Sequence, residues 1–462
     1  MQKLFLKDYQ IQIKGIVISL LCFLFCWVTF YPGYMSYDSF QQYLIGKSLV
    51  FNDWHPPIMS WVWSILNFFF KGPSGMLAMN LFLLWLSLFL LWNVYRAKKY
   101  SFLFLLLGLS PQVINLSGVL WKDVGLAFSL ILVFAIGLYR RSSFNIAIII
   151  LLLFYSLNLR YNSIFAVIPI LFFIIKCWLP YFSNIKTIFL SLLLSGLILY
   201  IGQYFNYEIL KSERVSPVNF IMIDDLANLS IKYDKSLIPN IDIQDIKRCS
   251  SYEIGFTKEF GRAYCIIPGF PPPYSGVIRA GSPLTNVWIA AILDHPLDYL
   301  KFRFSAFSYF IRSPLAPPYA YWFPEIMTNN EGFKTERNGL TIVFEKYIQY
   351  FADVTPWLFK PYWWIYISIT ALLLTMMCEV NKQIFAAQSL LVSSLIYIFG
   401  YFPVVGLADF RYIYWSTLAS SVAILLMLVD GHFKYTSLGK LLFLLFCSVT
   451  SILVFTYFYV LF

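Results

Sequence analysis

The sequence predicts an all-α polytopic membrane protein, and three observations support this. The 462-residue chain is 60% hydrophobic and only 12% charged, with a mean hydropathy of +0.70. A soluble globular domain needs far more surface charge. Apolar runs of roughly 20 residues recur along the chain, which is the length that a bilayer-spanning helix requires. The runs are continuously apolar rather than alternating, which disfavours a closed β-barrel.

The distribution of the basic residues predicts topology rather than nucleic-acid binding. The net charge is +11, but Lys and Arg occur singly or in short clusters between apolar runs. Basic clusters of this kind mark cytoplasmic loops. The first apolar run begins near Gly15, follows Lys3, Lys7 and Lys14, and has no small-residue cleavage site after it. We therefore expect a retained first helix and a cytoplasmic N-terminus.

Counting from this first helix gives about eleven membrane-spanning helices. In chain order the predicted spans are Gly15–Tyr31, Met76–Tyr95, Ser101–Leu116, Val124–Tyr139, Asn145–Leu159, Ser163–Tyr181, Ile188–Tyr204, Tyr362–Val380, Ile384–Val405, Ile413–Val429 and Leu441–Phe462. The count leaves the clusters Arg96/Lys98/Lys99, Arg140/Arg141 and Lys434/Lys440 on the cytoplasmic side together with the N-terminus. Ile58–Phe70 is apolar but short, and we expect it to be an interfacial or re-entrant helix.

The chain divides into three predicted regions. Residues 1–204 form an N-terminal transmembrane module whose first outer loop is 32–57, and residues 361–462 form the C-terminal helices. Residues 205–360 hold most of the acidic residues and many turn formers, and are too long for a linker. We predict a small exoplasmic α or mixed domain with interfacial helices such as Leu297–Ile311. Cys249 and Cys265 lie in this region, either as a disulfide or as free thiols.

Four junctions on the predicted outer side carry the polar residues that could do chemistry. They are Asp38 with Asp53 and His55, Lys122 with Asp123, Arg160 with Asn162, and Asp409 with Arg411 and Tyr412. Charged groups are costly near a bilayer and tend to line water-filled sites. A carboxylate can act as a general base toward a hydroxyl, and Lys and Arg can hold an anionic leaving group. This combination suits a lipid-linked phosphate.

Simpler structural roles compete with each of these assignments. Asp38 could cap a loop helix, and His55 could be a structural hydrogen-bonding group. Lys122 could neutralise Asp123 or extend toward the interface, and Arg160 could pair with a lipid headgroup. The charges of Asp409 and Arg411 could form a plain surface pair. Asp224 and Asp225, in the large loop, are expected on a solvated face. The sequence has neither strong metal-ligand spacing nor a nucleotide-binding fingerprint.

The first outer loop resembles that of GT-C glycosyltransferases. Its Asp38, Gln41–Tyr43, Gly46 and His55-Pro56-Pro57 are similar to the protein O-mannosyltransferase and aminoarabinose-transferase branch of that superfamily. The WKD, LRYN and DFRY junctions at Trp121, Leu159 and Asp409 resemble those of O-antigen-modifying members. The resemblance covers the loop and these short junctions, and elsewhere only the topology. Many members carry a second acid where this chain has Ser39, and Asp53 or Asp123 could supply it.

The resemblance implies an inverting glycosyltransferase with a polyprenyl-phosphate sugar donor and an exoplasmic glycan or lipid-linked acceptor. Asp38 would be the general base, with His55 and Asp123 as further catalytic residues. The donor phosphate would be held by Lys122, Arg160, Arg411 and Tyr412, and substrate by Asp53, Asn162 and Asp409. No cofactor is implied, although the Ser39 departure leaves metal dependence open. The expected location is a bacterial inner membrane, with the site facing the periplasm.

Three other functions are consistent with the same pattern. A transporter or flippase for a lipid-linked glycan would need polar residues deep within the spans and repeated halves, whereas the polar groups here lie at span ends. An O-antigen polymerase or ligase also combines many spans with a large outer loop, and sequence separates it poorly. A membrane acyltransferase would need a catalytic His within the membrane on the cytoplasmic side, where only His432 is predicted.

Overall fold

The computed structural model describes residues 2–250, 284–312, 315 and 319–430, and helices dominate these ranges. The helices before residue 205 are α1 (Gln2–Phe30), α2 (Tyr37–Ser48), α3 (Pro57–Phe69), α4 (Ser74–Tyr95), α5 (Leu103–Leu107), α6 (Pro111–Ser117), α7 (Lys122–Tyr139), α8 (Ser143–Leu159), α9 (Ile164–Trp178) and α10 (Asn184–Tyr204). Those after it are α11 (Asn219–Tyr233), α12 (Ile243–Ser250), α13 (Leu284–Asp294), α14 (Pro296–Arg312), α15 (Gly339–Val354), α16 (Pro361–Met376), α17 (Lys382–Phe399) and α18 (Tyr414–Asp430).

Seven of the described helical stretches are long and apolar enough to cross a membrane. They are Gln10–Phe30, Ser74–Tyr95, Lys122–Tyr139, Tyr161–Trp178, Asn184–Ile209, Lys382–Phe399 and Phe410–Val429. This confirms a multi-pass, all-α integral membrane protein. Helices α8 and α16, which match two further predicted spans, are apolar but have only 17 and 16 residues. The predicted span Leu441–Phe462 lies outside the described residues, so the count of eleven stays a prediction.

The predicted third span, Ser101–Leu116, is not a single helix. The structure divides it into α5 and α6, which are separated at Gly108–Ser110. Ser110 has an extended backbone, and Pro111 occupies the first turn of α6. Proline has no N–H to donate to the preceding turn, and it disfavours a helical conformation at the residue before it. The Ser-Pro pair therefore ends one helix and begins the next.

Helix α7 lies at the centre of the bundle. It packs against α4, α8, α9 and α18, and 89% of its residues are buried by protein. In α1 and α10 only 28% of the apolar stretch is buried, which leaves large apolar side chains exposed along both helices. Because such exposed apolar surface is stable only against lipid, α1 and α10 form the periphery and α7 the core.

The first outer loop is bridged to three other segments of the chain. Tyr34 pairs with Val119, Met35 with Ile326, and Asn52 with Glu213, each as an isolated parallel bridge. The Tyr34 bridge brings the loop to the start of α7, and the other two bring it to the region between α10 and α16. These bridges place the residues that precede α2 and α3 at one end of the bundle.

A second, smaller apolar core forms around α11, α12 and α13. Phe220, Ile223 and Leu226 are among its buried residues, and Trp54 of the first loop packs against it. Helix α14 spans Pro296–Arg312, which confirms a helix where Leu297–Ile311 was predicted. Cys249 is disulfide-bonded, and Cys265, which the sequence offers as its partner, lies outside the described residues.

The expectation of a solvated Asp224–Asp225 pair is wrong. Both residues are 1% exposed. Asp225 accepts hydrogen bonds from Arg303 of α14 at 2.6 Å and from the Trp288 indole of α13 at 2.8 Å. A buried carboxylate needs such partners. The acidic dipeptide resembled a surface feature because its partners are more than 60 residues away in the sequence.

Candidate functional site

Residues from all four polar junctions converge on one cavity of about 250 Å³. It lies where the N-terminal ends of α2, α7 and α18 meet the first loop and α11. The side chains that line it are Tyr37, Asp38, Trp54, His55, Lys122, Arg160, Pro217, Phe220, Ile221, Tyr401, Val404, Gly406, Leu407, Arg411 and Tyr412. Charged residues and apolar or aromatic residues both contribute, so the cavity can hold a ligand with a charged end and a less polar one.

Asp38 occupies the first turn of α2 and faces Arg411. The Arg411 Nη1 donates to Asp38 Oδ2 at 2.9 Å, and the carboxylate side chain keeps 35% of its surface exposed. Burial alone would raise the pKa of Asp38, but Arg411, His55 and Lys122 together lower it below its usual value. Asp38 is therefore ionised at neutral pH and remains accessible from the cavity.

Arg411 is fixed from three directions. Its Nε lies 3.2 Å from Asp409 Oδ2, and its guanidinium stacks over the Trp121 ring at 4.7 Å. Asp409 also accepts a hydrogen bond from the Arg411 backbone N–H at 3.0 Å. Burial raises the pKa of Asp409 to about 6, and Asp123 and Asp38 add to this shift while Arg411 opposes it. The two residues are not a plain surface pair, because both are largely buried.

Arg160 pairs with Asp123, which comes from another of the four junctions. The Arg160 Nη2 donates to Asp123 Oδ2 at 3.1 Å, and Arg160 Nε contacts the other carboxylate oxygen. Arg160 also lies over the Tyr412 ring at 4.7 Å, and Arg411 lies 5.4 Å from the same ring. Both guanidinium groups thus make a cation–π contact with Tyr412. This arrangement keeps two cations in one small volume.

Lys122 lines the cavity without an ion pair. Asp123, its neighbour in sequence, is 1% exposed and turned toward Arg160. Adjacent residues of a helix point in different directions, so the first two residues of α7 separate in this way. Among the described residues, none forms a hydrogen bond or salt bridge with the Lys122 ammonium, although Arg160, Asp123 and Asp38 lie near enough to act on it electrostatically. Its positive charge is available to a ligand.

His55 is the second unpaired polar group. It lies just before Pro56 and α3, is 5% exposed, and neither ring nitrogen has a hydrogen-bond partner among the described residues. Burial lowers the pKa of His55 to about 4, with Asp38 opposing the shift and Lys122 and Arg411 adding to it. The imidazole is therefore neutral at pH 7. A buried polar side chain of this kind normally has a partner, and a bound ligand can supply one.

The remaining predicted site residues lie behind or beside the cavity. Asp53 accepts hydrogen bonds from the backbone N–H groups of Val215 and Ser216 at 2.6 and 3.2 Å, and from the Tyr207 hydroxyl at 2.9 Å. These contacts tie the first loop to the segment after α10. Asn162 lies in a 3-10 turn next to Tyr401, and neither Asn162 nor Asp53 lines the cavity.

Several lining residues could not be selected from the sequence. Trp54 is adjacent to His55 and Tyr401 follows α17, but aromatic residues are common throughout this chain. Phe220 and Ile221 lie in the large loop, where no pattern distinguished them. Trp121 was visible as the residue before Lys122, and its role is to support Arg411 while its indole donates to Ser36 Oγ at 2.7 Å. Within the described ranges, no three His, Cys, Asp or Glu side chains cluster as metal ligands would.

Comparison of the chain with protein-family models, curated proteins and solved structures finds no match. The fold and the cavity are therefore the basis for a functional proposal.

Proposed function

We propose that the protein is a GT-C-like membrane glycosyltransferase that moves a sugar from a polyprenyl-phosphate donor to a glycan or lipid-linked acceptor. The observation that carries the proposal is the unpaired Lys122 ammonium, in a cavity whose two arginines are already neutralised by carboxylates. The three carboxylates Asp38, Asp123 and Asp409 all contact the two arginines. Lys122 is the cation of the cavity that has no carboxylate in contact among the described residues, so it can pair with the negative charge of a phosphodiester. The expected setting is a bacterial inner membrane, with the cavity open to the periplasm.

The proposed reaction is a single displacement with inversion. The acceptor hydroxyl oxygen forms a bond to the anomeric carbon, and the bond from that carbon to the donor phosphate oxygen breaks. The electron pair leaves with the phosphate, where Lys122 stabilises the added charge, supported by Arg160 and Arg411. The hydroxyl proton passes to Asp38, which is ionised and accessible. No acid is needed at the leaving group, because the phosphate is stable as an anion.

His55 and Asp123 have supporting roles in this scheme. The neutral His55 imidazole can accept a hydrogen bond from the acceptor or from the sugar, since both of its nitrogens are free within the described structure. Asp123 acts through Arg160, which it orients toward the cavity by a two-point contact. Contact of two guanidinium nitrogens with one carboxylate restricts the orientation of the Arg160 side chain.

The test is transfer of labelled sugar from a polyprenyl-phosphate donor in membranes, with Asp38→Asn compared with Asp53→Asn. The first variant removes the proposed base and should lower kcat by about 10²–10⁴-fold. It also removes one of the two carboxylates on Arg411, but Asp409 remains as a partner, so the variant should still fold. The second makes the same substitution in the same loop, at a carboxylate that holds backbone N–H groups. Asp53→Asn should lower the unfolding temperature and leave kcat close to that of the parent. Full activity of Asp38→Asn would disprove the base assignment.

The choice of donor separates the alternatives. Label that moves only from a polyprenyl-diphosphate glycan would favour a polymerase or ligase. A lipid-linked glycan that crosses the bilayer of a vesicle without forming a new glycosidic bond would favour a flippase. The residues that line the cavity do not specifically favour a polymerase, a ligase or a flippase.

A further inference from the structure

A buried arginine outside the cavity joins two of its walls. Arg303 of α14 is 1% exposed, and it does not line the cavity. Its Nη1 donates to the Val405 carbonyl at 3.0 Å. Its Nη2 donates to Asp225 Oδ2 at 2.6 Å and lies 3.4 Å from the Ile221 carbonyl. Asp225 and Ile221 belong to α11, whereas Val405 lies in the segment after α17, so one side chain connects two elements.

Both of these elements contribute lining residues. Phe220 and Ile221 form part of the α11 wall, and Gly406 and Leu407 form part of the wall after α17. The two walls approach closely beside Arg303. A Cβ atom placed on Gly406 would lie 3.6 Å from the Phe220 ring and 4.0 Å from Ile221 Cγ1, which is ordinary van der Waals contact.

The contacts of Arg303 make separation of the walls costly. If α11 moved away from Val405, the guanidinium would lose either its carboxylate or its carbonyl partner in a site that water does not reach. Leaving a buried charge without its partner is strongly unfavourable. Asp225 is itself held by the Trp288 indole at 2.8 Å. The planar guanidinium reaches its two partners through different nitrogens, Nη1 and Nη2, whereas the three donors of a lysine ammonium all lie on one nitrogen.

We propose that Arg303 is a positioning residue that holds the α11 wall against the Val405 segment, and so sets the width of the cavity where a sugar or acceptor lies. The proposal rests on the glycosyltransferase function above. Lys122, at the start of α7, belongs to neither wall. Release of the walls should therefore weaken binding of the sugar and the acceptor more than the transfer step itself.

The test uses the full-length protein with two variants that release Val405. Arg303→Met combined with Asp225→Leu removes both buried charges, because loss of one partner alone would leave an unpaired charge. Arg303→Lys keeps the charge but replaces the two nitrogens that bond Val405 and Asp225 with one. Gly406→Cys, introduced into each background, reports wall separation through its rate of alkylation by a membrane-impermeant maleimide. The same backgrounds without the added cysteine correct for native thiols.

The control removes another ion pair between the same two helices. Lys232 of α11 pairs with Asp298 of α14, but the lysine side chain is 51% exposed, and neither residue lines the cavity. Asp298→Asn should leave the alkylation rate and the KM values at the parent level. The double variant and Arg303→Lys should each raise both quantities by about two- to thirtyfold, with a smaller change in kcat.

Two results would overturn the proposal. One is a parental alkylation rate and parental KM in a folded Arg303 variant. The other is an equal effect of Asp298→Asn, which would assign the change to general packing of α11 on α14. Faster alkylation in the Arg303 variants would support the positioning role even if the parent transfers no sugar from any donor, and in that case the proposed function alone would fail.

Discussion

Two buried arginine–aspartate pairs, Arg160–Asp123 and Arg303–Asp225, look alike locally but differ in what surrounds them. The Arg303 pair is closed, with side-chain exposures of 1% and 0%, and its neighbours are a tryptophan N–H and backbone carbonyls. The Arg160 side chain keeps 16% of its surface exposed, and the same cavity contains the unpaired Lys122 and His55. A buried ion pair is thus not itself a sign of a binding site; unpaired polar neighbours around an opening are the better sign.

The largest expected effect concerns the closed pair. Asp225→Ala leaves the Arg303 charge buried without its carboxylate, and should lower the free energy of unfolding by about 3–5 kcal/mol. Thermal unfolding in detergent measures the change. The pair Lys232–Asp298 provides the comparison, since its lysine is exposed and Asp298→Asn should change the unfolding temperature much less than Asp225→Ala does. If Asp225→Ala and Asp298→Asn had equally small effects on unfolding, the buried Arg303–Asp225 pair would not differ energetically from the Lys232–Asp298 pair.

The next largest effect concerns the unpaired cation. Lys122→Met should lower kcat by about 10²–10³-fold, because one preorganised group that stabilises developing charge is lost. The free energy of unfolding should change little, since Lys122 has no ion pair to lose among the described residues. Transfer assays and unfolding curves on the same preparation measure both. A large loss of stability with normal turnover would reverse the assignment and make Lys122 a structural residue.

A smaller, pH-dependent effect should distinguish the cavity from the closed pair. Burial raises the pKa of Asp409 to about 6, so this carboxyl takes up a proton as the pH falls from 7 to 5. Protonation removes a negative charge beside Arg411, and binding of a sugar-phosphodiester donor should tighten severalfold over that interval. The phosphodiester of the donor does not titrate between pH 5 and pH 7, so the donor itself adds no pH dependence to the binding affinity.

The Asp409→Asn variant provides the control for this pH dependence. It should bind the donor equally well at pH 5 and pH 7, with an affinity close to that of the parent at the lower pH. The pH dependence of stability that arises from Asp409 is opposite in direction to that of a carboxylate whose pKa is lowered by an ion pair. Because the folded-state pKa is raised, the contribution of Asp409 to stability is greatest below about pH 4 and is lost as the pH rises through about 6. If donor affinity in Asp409→Asn still changes between pH 5 and pH 7, a group other than Asp409 is responsible for the pH dependence.

The sequence was informative where a single local property decides the structure. Apolar run length located the helices, including the short segment Ile58–Phe70, which corresponds to α3. The polar junctions were recognisable because charges near apolar runs are rare. The break between α5 and α6 has a local signal in Ser110-Pro111, because proline disfavours a helical residue before it, but run length alone does not detect that signal.

The pairing of charges could not be predicted in the same way. Lys122 and Asp123 are adjacent, yet Asp123 pairs with Arg160, and Asp38 pairs with Arg411 across 373 residues. These choices depend on which helix ends meet, and a single sequence contains no record of that. The burial of Asp224 and Asp225 was missed for the same reason, since Arg303 and Trp288 come from helices that only the folded chain brings close.

The three isolated bridges of the first loop bear on how this protein could be re-engineered. Tyr34 and Met35 share backbone hydrogen bonds with the residues on either side of Val119 and Ile326, and Glu213 shares them with the residues on either side of Asn52. The loop is therefore joined by backbone hydrogen bonds to three distant segments and is not an independent structural unit. A chimera that exchanges residues 31–57 alone would place a foreign loop against the native partner segments and disturb these backbone bridges. A chimera that also exchanges the segments around 119, 213 and 326 would keep each bridge between segments from the same parent protein.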